Sequence, residues 1–235
     1  MKVLFYSSVA DIKDFKRQGF YVEDTTILES LGYEVRCTNN IFEFLLSDYQ
    51  IAFLYFYKWS VIPALIARLK SRRVFFTGGI DDLSDKIVTS ILKRFIFKLL
   101  FIFNYLLANK INIISESDLL NVSTVLNAFR INVTSSKILV FPHSVQVNFN
   151  SNNSYIKVNH TFCSVCWMST KGNVIRKGLD KAMKFFYLYC QYHPNSLFYV
   201  IGRVGEGTEY IKSLPYYKSV AQNVIFTDFL SDEQK

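Results

Sequence analysis

Short apolar runs alternate with helix-forming segments along this chain. The first run, Val3–Tyr6, has the length and hydrophobicity of a buried parallel strand. A polar stretch that contains Gly19, Ser7–Val22, follows it and is predicted to be a loop. The segment Thr26–Glu29 has the Thr-x-x-Glu spacing of a capping box, which predicts the start of a helix. A second strand, Tyr33–Cys37, would complete a strand–helix–strand unit.

The same alternation continues to about residue 145. Further strands are predicted at Ile51–Tyr55, Arg73–Thr77, Ile111–Ser115 and Ile138–Phe141, with helices at Ile62–Lys70, Ile87–Leu107 and Asp118–Phe129. Strands that alternate with helices indicate a parallel, doubly wound sheet. We therefore expect residues 1–150 to form one α/β domain.

A second, shorter series begins after a stretch rich in Asn and Ser, Gln146–Asn153, which has the composition of a linker. Its predicted strands are Thr161–Cys166, Leu197–Ile201 and Asn223–Thr227, and its predicted helices are Leu179–Tyr192 and Glu209–Leu214. Three strands make half of a doubly wound sheet, and the last of them would be an uncovered edge. The expectation is a partial second domain over residues 151–235, with its C-terminal part missing.

Composition narrows the function classes. Half of the 235 residues are hydrophobic and 20% are charged, which excludes intrinsic disorder. The four cysteines are too scattered for a disulfide framework, and the close pair Cys163 and Cys166 lies inside a predicted strand. Zinc would need two more ligands, and no second close pair of Cys or His exists. We expect buried structural thiols, a reducing cytoplasmic compartment and no metal site.

The charge balance is basic, with 27 Lys and Arg against 19 Asp and Glu. Between Arg68 and Lys110 most of the charges are basic and are mixed with Phe, Leu and Ile. This pattern predicts a basic amphipathic surface that binds anionic lipid head groups, with a solvated helix face as the alternative. The apolar stretch Ile87–Ala108 carries three basic residues, so a transmembrane helix is not expected there. No nucleic-acid-binding module is recognisable.

Ligands of parallel sheets bind outside the carboxyl ends of the strands. Arg176 and Lys177 precede Gly178 just before a predicted helix, and this arrangement suits a diphosphate; decoration of a solvated turn is the alternative. The loop Gly202–Gly207 follows another strand, but its glycine spacing is a weak phosphate fingerprint, and a plain turn is the favoured interpretation.

A third strand ends in Gly78 and Gly79, followed by Asp81 and Asp82. Paired glycines allow backbone conformations closed to other residues. The two carboxylates would orient a sugar hydroxyl or cap the following helix, and the pattern does not separate these roles.

Several stretches, in this order, resemble the GT-B glycosyltransferases of the retaining family 4. The stretches that carry the similarity are Ile111–Asp118, Lys137–Val145, Arg176-Lys-Gly-Leu-Asp180, His193–Gly202 and Asn223–Ser231. The resemblance implies two Rossmann-like doubly wound domains, an acceptor-side domain over residues 1–150 and part of a nucleotide-sugar-binding domain over residues 151–235.

The resemblance also implies an activity. A sugar would pass from a UDP- or GDP-sugar, with retention, to a glycan or lipid-linked acceptor in bacterial surface polysaccharide synthesis such as O-antigen, lipopolysaccharide or capsule. Neither a metal nor another cofactor is implied, nor a nucleic acid partner. The place of action would be the cytoplasm, at the inner face of the cytoplasmic membrane.

By motif match, the resemblance assigns roles to individual residues. Arg176 and Lys177 would neutralise the donor diphosphate. The remaining donor-side positions are Gly19, Gly178, Gly202, Phe229 and Leu230. The acceptor side would hold Gly78, Gly79 and Asp81, with Asp81 counted among the catalytic residues together with Lys177 and Arg176.

The sequence also departs from the family pattern. The family's Gly-Arg before the second-domain loop is replaced by Cys166-Trp167, and its first loop is glycine-rich where this chain has only Gly19. The two glutamates of its E-x7-E motif would fall beyond Lys235. Two alternatives therefore stay open: a truncated, non-catalytic remnant that binds a membrane or a partner, and another enzyme on a doubly wound fold, such as an epimerase-like domain.

Overall fold

The computed structural model describes residues 1–80, 83, 90–142, 159–228 and 230. The chain divides into two compact units, Met1–Phe149 and Asn150–Lys235. Asp81, Asp82, Phe229 and the predicted linker Gln146–Asn153 lie outside the described residues. Within the described residues, no helix combines the length and the apolar character needed to cross a membrane.

The first unit is built on a parallel sheet of six strands in the order β2-β1-β3-β4-β5-β6. The strands are β1 (Lys2–Ser7), β2 (Glu34–Thr38), β3 (Ile51–Tyr55), β4 (Arg73–Thr77), β5 (Lys110–Ile113) and β6 (Ile138–Val140). In β1, Val3 is in register with Val35 on one side and with Ile51 on the other. The α/β class predicted from the alternating pattern is confirmed.

The helices of this unit follow the strands in turn. They are α1 (Asp14–Arg17), α2 (Gly19–Ser30), α3 (Glu43–Leu46), α4 (Val61–Leu69), α5 (Ile91–Leu107) and α6 (Glu116–Ala128). Serine side chains cap two of them: Ser90 Oγ accepts from the backbone N–H of Lys93, and Ser115 Oγ accepts from that of Asp118. These caps satisfy N–H groups that have no partner within the helix.

The first connection differs from its prediction. Ser7–Val22 is not a loop, because it holds α1 and the start of α2, and Thr26–Glu29 lies inside α2 rather than at a capping box. The physical reason is an aromatic cluster: the rings of Phe15 and Tyr21 pack edge-on against Phe5 of β1. Because these rings pack against the sheet, the mostly polar segment Ser7–Val22 folds into helices there instead of forming a loop.

The sheet of the first unit is covered on both faces by different helices. Leu4 and Tyr6 belong to the larger core, which includes residues from α3 to α6. Val3 and Phe5 point to the opposite face and pack with residues of α1 and α2. This alternation follows from the two-residue period of a strand.

The second unit is a parallel sheet in the order β7-β8-β9. Its strands are β7 (Thr161–Val165), β8 (Leu197–Ile201) and β9 (Val224–Thr227), and its helices are α7 (Lys171–Lys177), α8 (Leu179–Cys190), α9 (Glu206–Ser213) and α10 (Pro215–Lys218). Right-handed connections between strands in chain order place the helices on one face. Phe198 and Val200 lie on that face, in a core with Met183 and Phe186.

The prediction of buried cysteines is wrong for one of the four. Cys166 and Cys190 are buried and Cys37 is half-buried, but Cys163 is exposed. Cys163 points to the face of β7 opposite the α8 core, where Val165 is also exposed. A strand side chain is buried only where another element covers its face of the sheet.

Lys70 stabilises the C-terminal end of α3. Its Nζ donates to the carbonyls of Phe44, Leu45 and Ser47 at 3.1, 3.1 and 2.8 Å. We expect Lys70→Met to lower the free energy of unfolding by about 1–2 kcal/mol, because charge-assisted hydrogen bonds to helix-end carbonyls are lost. Urea unfolding measures the change, with the exposed Lys93→Met as control; equal stability of both variants would contradict this role.

Candidate functional site

A cavity of about 310 Å³ lies at the carboxyl ends of the first unit's strands. In this sheet order the chain reverses direction between β1 and β3, and ligands of doubly wound sheets bind at such a switch point. The residues that line the cavity follow β1, β3 and β4 or belong to α5: Ser8, Phe56, Tyr57, Lys58, Trp59, Gly79, Ile80, Leu83, Phe97 and Phe101.

The walls of this cavity are aromatic, and among the described residues of its lining one, Lys58, is charged. Lys58 Nζ lies 4.4 Å from the centre of the Phe97 ring, which holds the ammonium group by a cation–π contact. Aromatic faces stack on the apolar faces of sugar rings or lipids, and an ammonium group attracts an anion. The lining therefore fits a molecule with an apolar face and a negative group.

The backbone at the cavity adopts uncommon conformations. Phe56 has a φ of 62°, and its N–H donates to the carbonyl of Thr77 at 3.1 Å. Gly78 has a φ of 111°, and a Cβ there would lie 3.2 Å from Phe56 Cδ1. Left-handed non-glycine residues are costly and cluster at functional sites. Gly78 thus shapes the cavity, Gly79 lines it, and Asp81, predicted beside them, lies outside the described residues.

Buried hydrogen bonds fix the loop that follows β3. Asn104 of α5 is fully buried, and its Nδ2 donates to the carbonyls of Tyr57 and Leu100. The hydroxyl of Tyr57 donates to the carbonyl of Asn112 at 3.1 Å. Asn112 Nδ2 in turn donates to Thr77 Oγ1 at 3.2 Å. Hydrogen bonds that involve α5, β4 and β5 therefore fix the part of the cavity wall that this loop forms.

Gly19 does not lie in a loop as predicted, because it is the first residue of α2 and is solvent-exposed. The polar groups close to β1 and β3 belong instead to Tyr21 and Tyr55. Tyr21 shares a 2.6 Å hydrogen bond with the buried Ser7, and Tyr55 donates to Asp24 Oδ2 at 2.5 Å. These pairs fasten α2 to the carboxyl ends of the two central strands.

Burial gives the first unit a specific alkaline sensitivity. Desolvation, opposed by the Ser7 hydrogen bond and assisted by the Asp14 charge, raises the pKa of Tyr21 to about 12. A phenol whose folded pKa is raised contributes stability that is present below its unfolded pKa of about 10 and is lost as pH rises towards 12. We expect the urea midpoint to fall between pH 10 and 12, and Tyr21→Phe to flatten that fall. An equal slope in both proteins would contradict this assignment.

In the second unit, the predicted cationic pair lies between two helices. Arg176 and Lys177 form the last turn of α7, and Gly178 ends that helix with a φ of 70° before α8 begins at Leu179. The pair therefore lies just before a helix N-terminus, as predicted, but the sequence did not reveal α7, whose start is capped by Thr170 Oγ1 accepting from Asn173 N–H at 3.2 Å. Cations in a last turn are favourable for the helix dipole, so no bound anion is needed to explain them.

Both cations nevertheless lie near the carboxyl end of β7. Burial raises the pKa of the Cys166 thiol, and the charges of Lys177 and Arg176 act against that rise, so both cations lie within electrostatic range of Cys166. Cys166 directly follows β7, and both basic side chains are exposed to solvent. The turn between α7 and α8 thus places two positive charges near the carboxyl end of β7, at the edge of the sheet where ligands of this fold bind.

Two glycines that follow β8, Gly202 in the loop and Gly207 in the first turn of α9, have a packing role that the sequence did not reveal. Gly202 has a φ of 137°, and a Cβ there would lie 2.4 Å from the carbonyl oxygen of Cys166. A Cβ at Gly207 would lie 2.6 Å from the carbonyl oxygen of Thr170. Backbone bonds join the same loops, including Gly207 N–H to the Met168 carbonyl at 2.9 Å. The glycines allow two strand-to-helix loops to pack backbone against backbone.

A hollow of about 380 Å³ lies beside these interlocked loops. Its lining comes from the loop after β8, from α9 and from β9: Val204, Gly205, Thr208, Glu209, Lys212 and Phe226. Lys212 Nζ pairs with Glu209 Oε1 at 2.9 Å. Leu230 is half-buried beyond the end of β9, and its predicted companion Phe229 lies outside the described residues.

No protein-family model matches the sequence, and no curated protein matches it. Solved structures do match the fold. Anabaena HepE in complex with UDP-glucose has a TM-score of 0.60 at 15% identity, over 99% of this chain and 70% of that chain. HepE in complex with UDP and glucose gives 0.59 at 16% identity, with the same coverage of both chains. A UDP-N-acetylglucosamine 2-epimerase from Rickettsia bellii gives 0.50 at 12% identity, again over 99% and 70%.

At these identities the likeness concerns architecture. The chain has the two Rossmann-like parallel-sheet units of the GT-B fold, as the sequence predicted. A fold hosts many functions, so function has to be argued from the residues at the carboxyl ends of the two sheets.

Proposed function

We propose that this chain is a glycosyltransferase of the retaining family-4 type, which moves a hexose from a UDP- or GDP-sugar to a glycan or lipid-linked acceptor. The observation that carries the proposal is the pair of exposed cations, Arg176 and Lys177, held near the carboxyl end of β7. A matching fold has been solved with UDP-glucose bound, in HepE. The proposed pathway is bacterial surface polysaccharide synthesis, such as O-antigen or capsule.

Arg176 and Lys177 have a chemical task in this proposal. When the glycosidic bond to the nucleotide breaks, negative charge grows on the departing diphosphate, and fixed cations stabilise that charge. Gly178 and Gly202 would border the nucleotide, together with Phe229 and Leu230. The proposed reaction uses no metal or other cofactor.

The aromatic cavity of the first unit is the proposed acceptor site. Its rings would stack on a sugar, and Lys58 would attract an anionic group such as an acceptor phosphate. Gly78 and Gly79 would bring the backbone close to the acceptor, with Asp81 next to the transferred sugar. The proposed location is the inner face of the cytoplasmic membrane, which the chain would contact through the basic region 68–110.

Calorimetric titration of the purified chain with UDP, GDP, ADP and CMP tests the donor site. The expected result is selective binding of one nucleoside diphosphate, with CMP weaker because it lacks the second phosphate. Transfer from the radiolabelled sugar of that nucleotide to a bacterial membrane extract is then expected. Binding of none of the four nucleotides would refute the proposal and favour the non-catalytic alternative.

A further inference from the structure

Helix α5 has two apolar sides, and only one of them faces the core. Its inner side buries Phe101, Ile102, Asn104 and Tyr105 against the sheet. Its outer side exposes large hydrophobic residues: Leu92 (68%), Phe95 (51%), Ile96 (43%), Phe103 (53%) and Leu106 (57%). A surface helix of a water-soluble protein normally carries polar residues on this side, so the outer side of α5 requires a partner.

These exposed residues and the half-buried Leu99 form one continuous surface, which we call the outer stripe: Leu92, Phe95, Ile96, Leu99, Phe103 and Leu106. Successive members are separated by one, three or four residues, which aligns them along the helix. None of them is charged. The neighbouring α4 adds the exposed Ile62, Leu65 and Leu69, and Trp59 is exposed just before that helix. An apolar area of this extent marks an interaction site.

Four basic residues of the region 68–110 form hydrogen bonds or ion pairs within the unit. Lys70 donates to three carbonyls at the end of α3, and Arg72 pairs with Asp48 at 3.4 Å. Arg68 donates to Asn109 Oδ1 at 3.2 Å, and Lys110 donates to the carbonyl of Ser136. Attraction of anionic head groups by these four residues is therefore reduced. The outer stripe is then the main feature by which this surface of the first unit can bind a partner.

We propose that the outer stripe of α5 enters an anionic membrane leaflet, with the helix lying in the plane of the interface. The core contacts of the inner side leave only the outer side for insertion. The exposed Lys93 stands beside the stripe and the chain carries a net charge of +8, which suits acidic head groups. A second copy of the chain would bring these like charges together. Trp59 has the character of a residue at the boundary of head groups and acyl chains.

This proposal deepens the proposed membrane location and is independent of donor binding. Burial of apolar residues drives it, so binding should persist at high salt, whereas attraction by cations alone would be screened. The contact would hold the first unit, and the mouth of its aromatic cavity beside α5, close to lipid-linked molecules.

Vesicle co-sedimentation tests the proposal with the full chain. Vesicles of phosphatidylcholine with 30% phosphatidylglycerol serve as the probe, at low and high salt. Leu92→Glu with Phe103→Glu should reduce the partition coefficient by roughly ten-fold or more, because two inserting side chains become charged. The control, Ile27→Glu with Leu31→Glu, makes the same change at exposed positions in and just after α2, on the other face of the sheet, and should bind as the parent does.

Three outcomes would overturn the proposal: no vesicle binding by the parent, equal loss in both double variants, or binding abolished by salt alone. A parent dimer in solution that the Leu92→Glu/Phe103→Glu variant dissociates would also overturn it, because the occupant of the stripe would then be a second copy. Circular dichroism checks that each variant is folded. UDP titration of the stripe variant separates this result from donor binding, since a failure of one leaves the other intact.

Discussion

Replacing Lys177 by alanine is expected to weaken nucleoside diphosphate binding about ten- to hundred-fold, the equivalent of one charge-assisted hydrogen bond. Lys177 is exposed in the last turn of α7, and its charge reaches Cys166 at the end of β7. Removing the side chain should leave folding unaffected because it fills no core position. Calorimetric titration with UDP or the preferred diphosphate measures the change.

Lys218→Ala provides the matched control for that experiment. Lys218 is also exposed, but it ends α10, ahead of the amino end of β9 and on the opposite edge of the sheet from the proposed donor site. Its loss should leave the dissociation constant within about two-fold of the parent, since long-range charge effects are screened beyond about 10 Å. Equal weakening by both substitutions would show that Lys177 acts only through net charge. Unchanged binding in Lys177→Ala would remove it from the site.

Replacing Gly202 by alanine is expected to destabilise the second unit by on the order of 3 kcal/mol, the combined cost of backbone strain and overpacking. The added Cβ would meet the Cys166 carbonyl oxygen at 2.4 Å, and φ is 137°. Neither partner of this clash is a side chain that can rotate away, so the two loops must separate. Nucleotide binding should fall as well, because the same loops border the proposed donor site.

Gly172→Ala is the control for Gly202→Ala. Gly172 lies inside α7, where the nearest atom to an added Cβ is Thr170 Oγ1 at 3.8 Å. Alanine is the better helix former, so this variant should gain up to about 1 kcal/mol. Because the chain has two tryptophans, a Trp59→Phe background leaves Trp167 fluorescence to report urea unfolding of the second unit alone. Similar midpoints for the two glycine variants would contradict the loop-packing role of Gly202.

The fold was predictable where a strand is a short run of mostly apolar residues. The bounds of β3, β4 and β8 match their predictions because each run begins after a polar residue, and β4 and β8 are each followed by a glycine. Helix α1 and the N-terminal part of α2 were missed for a tertiary reason. Phe15 and Tyr21 stand among polar residues without a clear helical period, and contact with Phe5 decides their conformation. Such contacts leave no local signal in the sequence.

The candidate site was predictable only in part. Lys177 and Arg176 stood out because they precede a glycine after a strand, yet α7 was overlooked because Val174 is the only residue it buries. The aromatic cavity was missed because its lining comes from distant parts of the chain, from Ser8 to Phe101. Only the strand order brings those segments together, and no spacing rule in the sequence encodes it.

The order of the strands also bears on how the chain folds as it leaves the ribosome. In the first sheet, β1 pairs with β2 and then with β3, and each later strand joins the edge left by its predecessor. The second sheet grows from β7 to β9 in the same way. No strand has to be inserted between two that are already paired, so assembly can follow synthesis from the N-terminus. Strand β3 covers the free edge of β1, and each later strand of that sheet covers the edge of the strand before it, so β1, β3, β4 and β5 are each an open edge only until the next strand pairs.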